Sequence, residues 1–292
     1  MANNQQVSLT HLSFTYRHDH DAVLHDITAS APLNSIVGII GNYNAGKTTL
    51  CRILAGIIPN MMAGNLQGDV QIGALSPTQN WSDFNQQTGF VLQDPSSQLS
   101  GLADTVADEI AFDLLNHGVD EAAIQQRVVD VAAQLQLTAQ LGQSPVSLSG
   151  GQLQRLAITT AIVTRPTILL LDDPTSEMDP QGREAFFTWL KTIKDATIFI
   201  VSNEIDDLCE IADRLWVLDN GELVSQGTPA EVINSLNSDW QIGTPKVYQL
   251  ARLMDWTMPD DNNQFPVTVD QLRRCADDDH SNQSSQVSIS HQ

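Results

Sequence analysis

The chain has 292 residues, 35 acidic against 14 basic side chains, and a formal net charge of −21 at pH 7. At about 100–200 residues per domain, this length indicates one large domain with an appendage or two domains of modest size. Nucleic acids and anionic membrane surfaces are bound through clustered Lys and Arg, so the acidic excess argues against both as direct partners. A local phosphate site remains compatible with this charge, because backbone amides and one lysine can build it.

The three cysteines, Cys51, Cys209 and Cys275, lie far apart and match neither a disulfide framework nor a zinc site, which predicts reduced thiols in a cytosolic protein. The first residues lack the basic head and apolar stretch of a secretory signal, and no run of about 18 apolar residues occurs. We therefore expect a chain that is soluble by itself and reaches a membrane only by docking on another subunit.

Two apolar periodicities predict the first strands and helices. Residues 7–40 read as short β segments, first alternating apolar and polar and then β-branched throughout. After Lys47 the apolar positions recur at helical spacing. Beyond Gln93, long stretches rich in Ala, Leu and Gln predict an inserted helical subdomain over about 94–164.

Apolar runs at 167–173 and 196–203 restore the strand pattern. Strands that are apolar on both faces and alternate with helices predict a parallel sheet covered on both sides. Between 215 and 227, an Asn-Gly pair flanked by apolar stretches predicts a β-hairpin.

These patterns divide the chain into three parts. The main domain is predicted to span 1–227, and a short helical extension follows at 228–275. The polar, low-complexity stretch 276–292 predicts a disordered tail.

A phosphate-binding loop is predicted after the third β segment. The sequence GNYNAGKTT matches G-x-x-x-x-G-K-[ST] and stands between a predicted strand and a predicted helix, as this motif requires. Successive amides would form an anion nest, Lys47 would reach the β- and γ-phosphates, and the Thr48 hydroxyl can ligate Mg²⁺. Asn44 stands where glycine would be easiest, but Asn tolerates positive φ best among the other residues. The candidate nucleotide-binding residues of this loop are Gly41, Asn42, Tyr43, Asn44, Ala45, Gly46, Lys47, Thr48 and Thr49.

Asp172 ends an apolar strand and is the candidate carboxylate for Mg²⁺, because such a strand brings its last side chain to the edge of the sheet. Taken alone, the run could equally be a core strand. Its pairing with a phosphate loop favours the metal role.

A second anion site is indicated by Ser149, Gly150, Gly151 and Gln152, which open the last helix of the insertion. Ser149 is placed as an N-cap, and the two glycines leave backbone amides open. An ordinary capped helix would explain the pattern too. Because there are two anion sites but one phosphate-loop lysine, we infer that the second site completes a phosphate pocket on another copy or a related chain.

The phosphate loop, Gln93, the LSGGQ sequence at 148–152, the strand ending at Asp172 and the loop at 176–179 resemble the ATP-binding-cassette (ABC) ATPases in order and separation. The resemblance implies an α/β P-loop NTPase fold with a RecA-like core, an antiparallel β subdomain and an inserted helical signature subdomain. It further implies that two ATP molecules lie between two cassettes, that Gln93 serves Mg²⁺ and catalysis, and that Tyr16 stacks on adenine.

Within this superfamily, residues 89–114 and the segment at 244–272 resemble the energy-coupling-factor (ECF) importer ATPases. That resemblance implies a second ATPase subunit, held in part by the extension at 228–275, and a transmembrane scaffold whose coupling helices sit near Gln93. It also implies a membrane-embedded subunit that captures a vitamin or trace-metal ion, and a peripheral location on the cytoplasmic face of the cell membrane. Other ABC importer classes remain an alternative.

Two positions depart from the family pattern. Asp173 stands where the resemblance implies a glutamate that polarises the attacking water, and Asn203 replaces the usual histidine. One methylene less retracts the carboxylate by about 1.5 Å, and a misplacement of about 1 Å can cost about 100-fold in rate. We expect a site that binds ATP but hydrolyses it slowly, which favours a heterodimer. A nucleotide-gated regulatory cassette with little turnover is the alternative.

Two charged clusters each admit two interpretations. The cluster at 17–21 contains ligand types for zinc or nickel, but a polar turn explains it without metal. The acidic residues Asp104, Asp108, Glu109 and Asp113 could meet basic residues of a scaffold or form a solvated helix face.

Overall fold

The computed structural model describes residues 6–258 and 264–277. Apart from its first two residues, which are helical, the predicted tail at 276–292 lies outside this part of the chain. The strands are β1 (Gln6–Tyr16), β2 (Leu24–Pro32), β3 (Ile36–Gly41), β4 (Gly64–Ile72), β5 (Thr88–Val91), β6 (Ile168–Asp172), β7 (Thr197–Val201), β8 (Arg214–Asp219) and β9 (Glu222–Gly227). The α-helices that precede residue 258 are α1 (Lys47–Leu54), α2 (Ile57–Asn60), α3 (Trp81–Asn85), α4 (Val106–Asn116), α5 (Glu121–Gln134), α6 (Gly150–Ile162), α7 (Pro180–Leu190), α8 (Ile205–Ile211), α9 (Pro229–Asn234) and α10 (Lys246–Met254).

Two sheets form the core. A three-stranded antiparallel sheet has the order β2-β1-β4, and a six-stranded sheet has the order β5-β6-β7-β3-β8-β9. Within the second sheet β5 to β8 run parallel, and only β9 is antiparallel to its neighbour. This confirms the predicted parallel sheet.

The parallel strands β3, β6, β7 and β8 are buried on both faces, as their apolar sequences predict. Along β6, Leu169 and Leu171 pack with the helical side, whereas Ile168 and Leu170 face the core shared with the antiparallel sheet. The alternation follows from the two-residue period of a strand. Helices therefore cover one face, and α1 together with the antiparallel sheet covers the other.

The β8–β9 hairpin turns at Asn220 and Gly221, with φ angles of 46° and 80°. Two consecutive positive φ angles are what the predicted Asn-Gly turn requires. The turn also supports the phosphate loop, because the Gly221 N–H donates to the Ala45 carbonyl at 3.3 Å. A Cβ at Gly221 would lie 2.4 Å from the Val23 carbonyl oxygen, so only glycine fits there.

The predicted insertion is a helical subdomain built from α4, α5 and α6. Each helix begins at a side-chain cap: Thr105, Asp120 and Ser149 accept hydrogen bonds from the amides of the first turn. The two interpretations of the acidic cluster are wrong for Glu109. This side chain is buried and accepts from the amide and the hydroxyl of Ser100, at 2.6 and 2.8 Å.

The C-terminal extension docks on the end of the cassette that carries α8. Asp206 accepts from the Lys246 amide at 2.7 Å, and Glu210 accepts from the Val269 amide at 2.6 Å. One side of α10 has no partner within the described chain, and Leu253 on it is 84% exposed. The predicted role of the extension in dimerisation stays a prediction.

The described residues contain neither a helix that could span a membrane nor a metal-binding group of His, Cys, Asp or Glu. No helix among them is long and apolar enough to cross a bilayer. They also contain no group of three or more His, Cys, Asp or Glu able to hold a metal ion, and the cluster at 17–21 is an exposed turn.

A buried amide in α6 gives a first testable prediction. Gln154 is fully buried, and neither its Oε1 nor its Nε2 has a hydrogen-bond partner among the described residues. An unsatisfied buried polar group costs about 1–3 kcal/mol. We therefore expect Gln154→Met to raise the free energy of unfolding by about that amount, measured by urea unfolding. Gln125→Met makes the same exchange at an exposed position of α5 and should change it by less than about 0.5 kcal/mol. A lower midpoint for Gln154→Met would mean that its amide is hydrogen-bonded in solution.

Candidate functional site

The site lies where the parallel strands β3, β6 and β7 end, because the carboxyl ends of such strands meet at one edge of the sheet. A cavity of about 550 Å³ opens there. It brings together the phosphate loop, Gln93, both aspartates and Asn203, which are far apart in sequence. The cavity is lined by Val23, Tyr43, Asn44, Gly46, Lys47, Thr48, Thr49, Gln93, Asp172, Asp173, Val201 and Asn203.

The phosphate loop has the conformation that its sequence predicts. Asn44 adopts φ 60°, which confirms the expected left-handed position. Gly46 has φ 93°, and a Cβ there would lie 2.6 Å from the Leu24 side chain. Because Gly46 caps α1 without a side-chain hydrogen bond, the first amides of the helix are free for an anion. Lys47 Nζ donates to the carbonyls of Gly41 and Asn42, both at 2.8 Å.

The acidic wall faces this lysine. Asp172 is 3% exposed and accepts a hydrogen bond from Thr48 Oγ1 at 3.3 Å. Burial raises the pKa of Asp172, although the Thr48 hydrogen bond and the charges of Arg52 and Lys47 oppose the rise. Burial lowers the pKa of Lys47, and the two aspartates partly offset the effect.

Asp173 lines the cavity, and its own backbone is in the left-handed region with φ 51°. Its amide donates to the Val201 carbonyl at 2.9 Å, which ties it to the end of β7. Burial raises the pKa of Asp173, and the negative charges of Asp172 and Glu204 add to the rise.

The segment that carries Asn203 is held by a cation that the sequence analysis missed. Arg183 in α7 contacts Glu204 Oε1 at 2.7 Å and Asp207 Oδ2 at 3.3 Å. The Glu204 amide donates to Ser202 Oγ at 3.1 Å. Arg183 therefore fixes the residue next to Asn203 from another helix. No spacing in the sequence signals this contact.

A second cavity, of about 740 Å³, adjoins the first and shares Gln93 and Asp172 with it. It contains Gly150, the first residue of α6, Glu177 of the loop at 176–179, and Arg52, which the sequence analysis missed. A basic residue five positions after Lys47 on the same helix is the signal that could have identified Arg52.

The LSGGQ segment has the predicted N-cap but lies apart from the phosphate loop of the same chain. Ser149 Oγ accepts from the Gln152 amide, and Gln152 Oε1 accepts from the Ser149 amide at 3.0 Å. The phosphate-loop cavity is lined by no residue of 149–152. The start of α6 packs instead on Glu177, whose carbonyl oxygen would lie 3.2 Å from a Cβ at Gly151.

Tyr16 does not line the cavity, and neither do Gly41, Asn42 and Ala45 of the phosphate loop. Its hydroxyl hydrogen-bonds Thr49 Oγ1 at 3.0 Å, and its ring packs edge-to-face on Phe14 with centroids 4.8 Å apart. Val23, from the loop that follows, lines the wall instead. The adenine-stacking role of Tyr16 stays a prediction.

Fold and cavity together define an α/β nucleotide-binding protein of the phosphate-loop class. A family model described as ABC transporter matches residues 24–176. The chain therefore belongs to the ATP-binding subunits of the ABC transporters, and it is an ATPase of the family that couples ATP hydrolysis to transport.

Individual relatives agree with this assignment. The energy-coupling factor transporter ATP-binding protein EcfA2 of Lactiplantibacillus plantarum is 33% identical over 285 residues, which cover 91% of this chain and 92% of that protein. EcfA1 of Latilactobacillus sakei is 35% identical over 238 residues, covering 80% of this chain and 81% of that protein.

Solved structures share the fold. A dimeric ATP-binding cassette bound to ADP and Pi has a TM-score of 0.68 at 22% identity, covering 76% of this chain and 98% of that chain. The cbiO1 protein from Clostridium perfringens, described as part of the ABC transporter complex cbiONQ, has a TM-score of 0.67 at 24% identity. That match covers 85% of this chain and 98% of the other. The predicted P-loop NTPase fold is thereby confirmed.

Proposed function

We propose that this chain is an ATP-binding subunit of an ECF-type importer, in which ATP binding and hydrolysis drive uptake of a vitamin or trace-metal ion. The observation that carries the proposal is the extent of the likeness to EcfA2. It covers 91% of this chain, and so it must continue well beyond the cassette at 1–227 into the extension at 228–275.

ATP would bind at the phosphate loop. Lys47 would hold the β- and γ-phosphates, and the open amides of the α1 start would take phosphate oxygens. The matching anion site at Ser149 and Gly150 would serve the nucleotide of a partner cassette.

Mg²⁺ fits the residues present. Thr48, Gln93 and Asp172 offer oxygen ligands on one wall, which is the donor type this ion prefers. Burial raises the pKa of the Asp172 carboxyl, so a further positive charge beside it would stabilise the ionised form. A bound Mg²⁺ would supply that charge and neutralise the phosphate oxygens during transfer.

Asp173 and Asn203 would act on the attacking water and the terminal phosphate. Asp173 can accept a hydrogen bond from the water, and Asn203 can donate one to a phosphate oxygen, although an amide cannot carry a proton or a charge. The shorter carboxylate would place the water poorly, which supports slow hydrolysis in this site. An intact signature beside a weakened catalytic wall favours pairing with a second, non-identical cassette.

The remaining partners follow from the same assignment. A transmembrane scaffold would dock in the groove near Gln93, and a membrane-embedded subunit would capture the substrate. The chain would then lie peripherally on the cytoplasmic face of the membrane. A regulatory cassette with little turnover is the second candidate, and the pair Asp173 and Asn203 favours it.

Purification from detergent-solubilised membranes separates these possibilities. We expect an affinity-tagged chain to bring down one different ABC cassette, a multi-span scaffold and a small membrane protein, all identified by mass spectrometry. The same purified assembly in liposomes loaded with ATP should take up its substrate, whereas liposomes loaded with ADP should not. Recovery of soluble partners alone would contradict the importer assignment and support the regulatory one. A second copy of the same chain as the only cassette would contradict the heterodimer.

A further inference from the structure

A cavity of about 730 Å³ lies away from the nucleotide site, between α5 of the helical subdomain and the RecA-like core. Its walls include Ile162 and Arg165 at the end of α6, Trp189 near the end of α7, and Ala196 just before β7. These residues stand at the amino ends of β6 and β7, whereas the phosphates bind beyond the carboxyl ends. A volume of this size falls within the range of about 300–1,000 Å³ that is usual for small-molecule sites.

The floor of this cavity is apolar and belongs to the core. Val131 and Ile162 each keep 8% of their surface exposed, so they close the core beneath the opening. Trp189 forms one side. Its Nε1 donates to Gln134 Oε1 at 3.4 Å, and Phe186 packs behind it with centroids 5.7 Å apart. The indole is thereby held in place as a flat apolar surface.

Three cations surround this floor. Arg127, Arg165 and Lys194 line the cavity, and none of them forms an ion pair in the described part of the chain. They are three of only 14 basic residues in a chain of charge −21. Two carboxylates, Asp130 and Asp195, also line the cavity, and Asp130 accepts from Gln126 Nε2 at 2.8 Å. The cavity therefore has a net positive charge in a strongly acidic protein.

We propose that this cavity binds a planar aromatic anion, meaning a ring system that carries a phosphate or carboxylate group. The ring would lie against Trp189 and the aliphatic floor, where burial of apolar area and aromatic contact both stabilise it. The anionic group would lie among the cations. Arg is suited to this because its planar guanidinium makes two parallel hydrogen bonds to a phosphate or carboxylate.

Occupancy of the cavity would act on the ATP-facing elements. The two helices that end at the cavity, α6 and α7, begin at the LSGGQ segment and at the loop at 176–179. Their 13 and 11 residues correspond to about 20 and 16 Å at 1.5 Å per residue. A ligand that bridges α5 and α6 to the end of α7 fixes the angle between the helical subdomain and the core. The site is therefore regulatory.

Flavin mononucleotide and riboflavin are matched probes, because they share one planar ring and differ in the phosphate. We expect isothermal titration to give micromolar binding of flavin mononucleotide to the purified chain, and binding of riboflavin at least about 10-fold weaker because it lacks the charge-assisted hydrogen bonds. The double variant Arg127→Met/Lys194→Met should bind flavin mononucleotide about 10-fold more weakly, or weaker still. Lys191→Met removes an exposed lysine at the end of α7. This lysine does not line the cavity, so the variant should leave the affinity unchanged.

Two further measurements complete the test. The Lys47→Met variant should still bind flavin mononucleotide, because this binding does not use the phosphate loop. Saturating flavin mononucleotide should change the ATPase rate of the parent at least about twofold, and it should not change the rate of the double variant. Equal affinity for the two flavins, equal weakening by Lys191→Met, absence of binding, or loss of binding in Lys47→Met would overturn the site. Saturation without any change in ATPase rate would overturn its regulatory role.

Discussion

Replacing Lys47 by methionine is expected to weaken ATP binding by this chain about 100-fold or more and to slow its ATP hydrolysis. Lys47 Nζ sits between the carbonyls of Gly41 and Asn42 and faces the two aspartates, so its charge is held where the phosphates arrive. Hydrogen bonds to charged groups are worth about 1.5–3 kcal/mol each, so losing those to the β- and γ-phosphates costs about 100-fold or more in affinity. We expect a loss of that size in the dissociation constant of a fluorescent ATP analogue.

Lys47→Arg is expected to fail as well, because a planar guanidinium cannot replace a compact ammonium inside a closed loop. Lys191→Met, which removes an exposed lysine instead, should bind the analogue like the parent. Circular dichroism would verify that each variant is folded. A Lys47→Met chain that binds the analogue within about threefold of the parent would place the nucleotide elsewhere than the phosphate loop.

The phosphate loop could be predicted from sequence because its geometry is local. Nine consecutive residues between a strand and a helix determine the anion nest, and the positive φ of Asn44 follows from residue type alone. The position of Asp172 follows similarly, since the last residue of a buried parallel strand has to emerge at the sheet edge.

Contacts between distant segments could not be predicted in this way. Arg183 and Glu204 are 21 residues apart in sequence and meet only because α7 packs on α8. Glu109 was expected to face solvent or a partner because it is acidic. Its burial depends on two hydrogen bonds that Ser100 donates, and Ser100 belongs to a loop without a recognisable sequence pattern.

Tyr16 illustrates the same limit within the site. The resemblance to the ABC ATPases implies that Tyr16 stacks on adenine. Which of its neighbours reaches the cavity depends on how the loop after β1 folds against the phosphate loop, and here that residue is Val23. The stacking role of Tyr16 itself stays a prediction.

Asp173→Glu is expected to increase ATP hydrolysis by this chain's own site by about 100-fold, because the carboxylate would regain the reach that one methylene provides. Asp173 already has its backbone fixed by the Val201 carbonyl and a left-handed φ, so the longer side chain extends from an unchanged anchor. Adding Asn203→His should raise the rate further, since imidazole can carry a positive charge toward the terminal phosphate and an amide cannot. The measurement is phosphate release per chain at saturating ATP and Mg²⁺.

The expected gain is easiest to interpret in the assembled pair. With the partner's catalytic glutamate changed to glutamine, turnover by the pair should fall sharply, and Asp173→Glu should restore much of it. Asp173→Asn is the matched control and should restore nothing, because an amide oxygen can accept a hydrogen bond from the water but lacks the negative charge and basicity of a carboxylate. Undiminished turnover after the partner's substitution would mean that Asp173 already hydrolyses ATP efficiently. The two cassettes would then share the work, and neither the short carboxylate nor Asn203 would be evidence for a heterodimer.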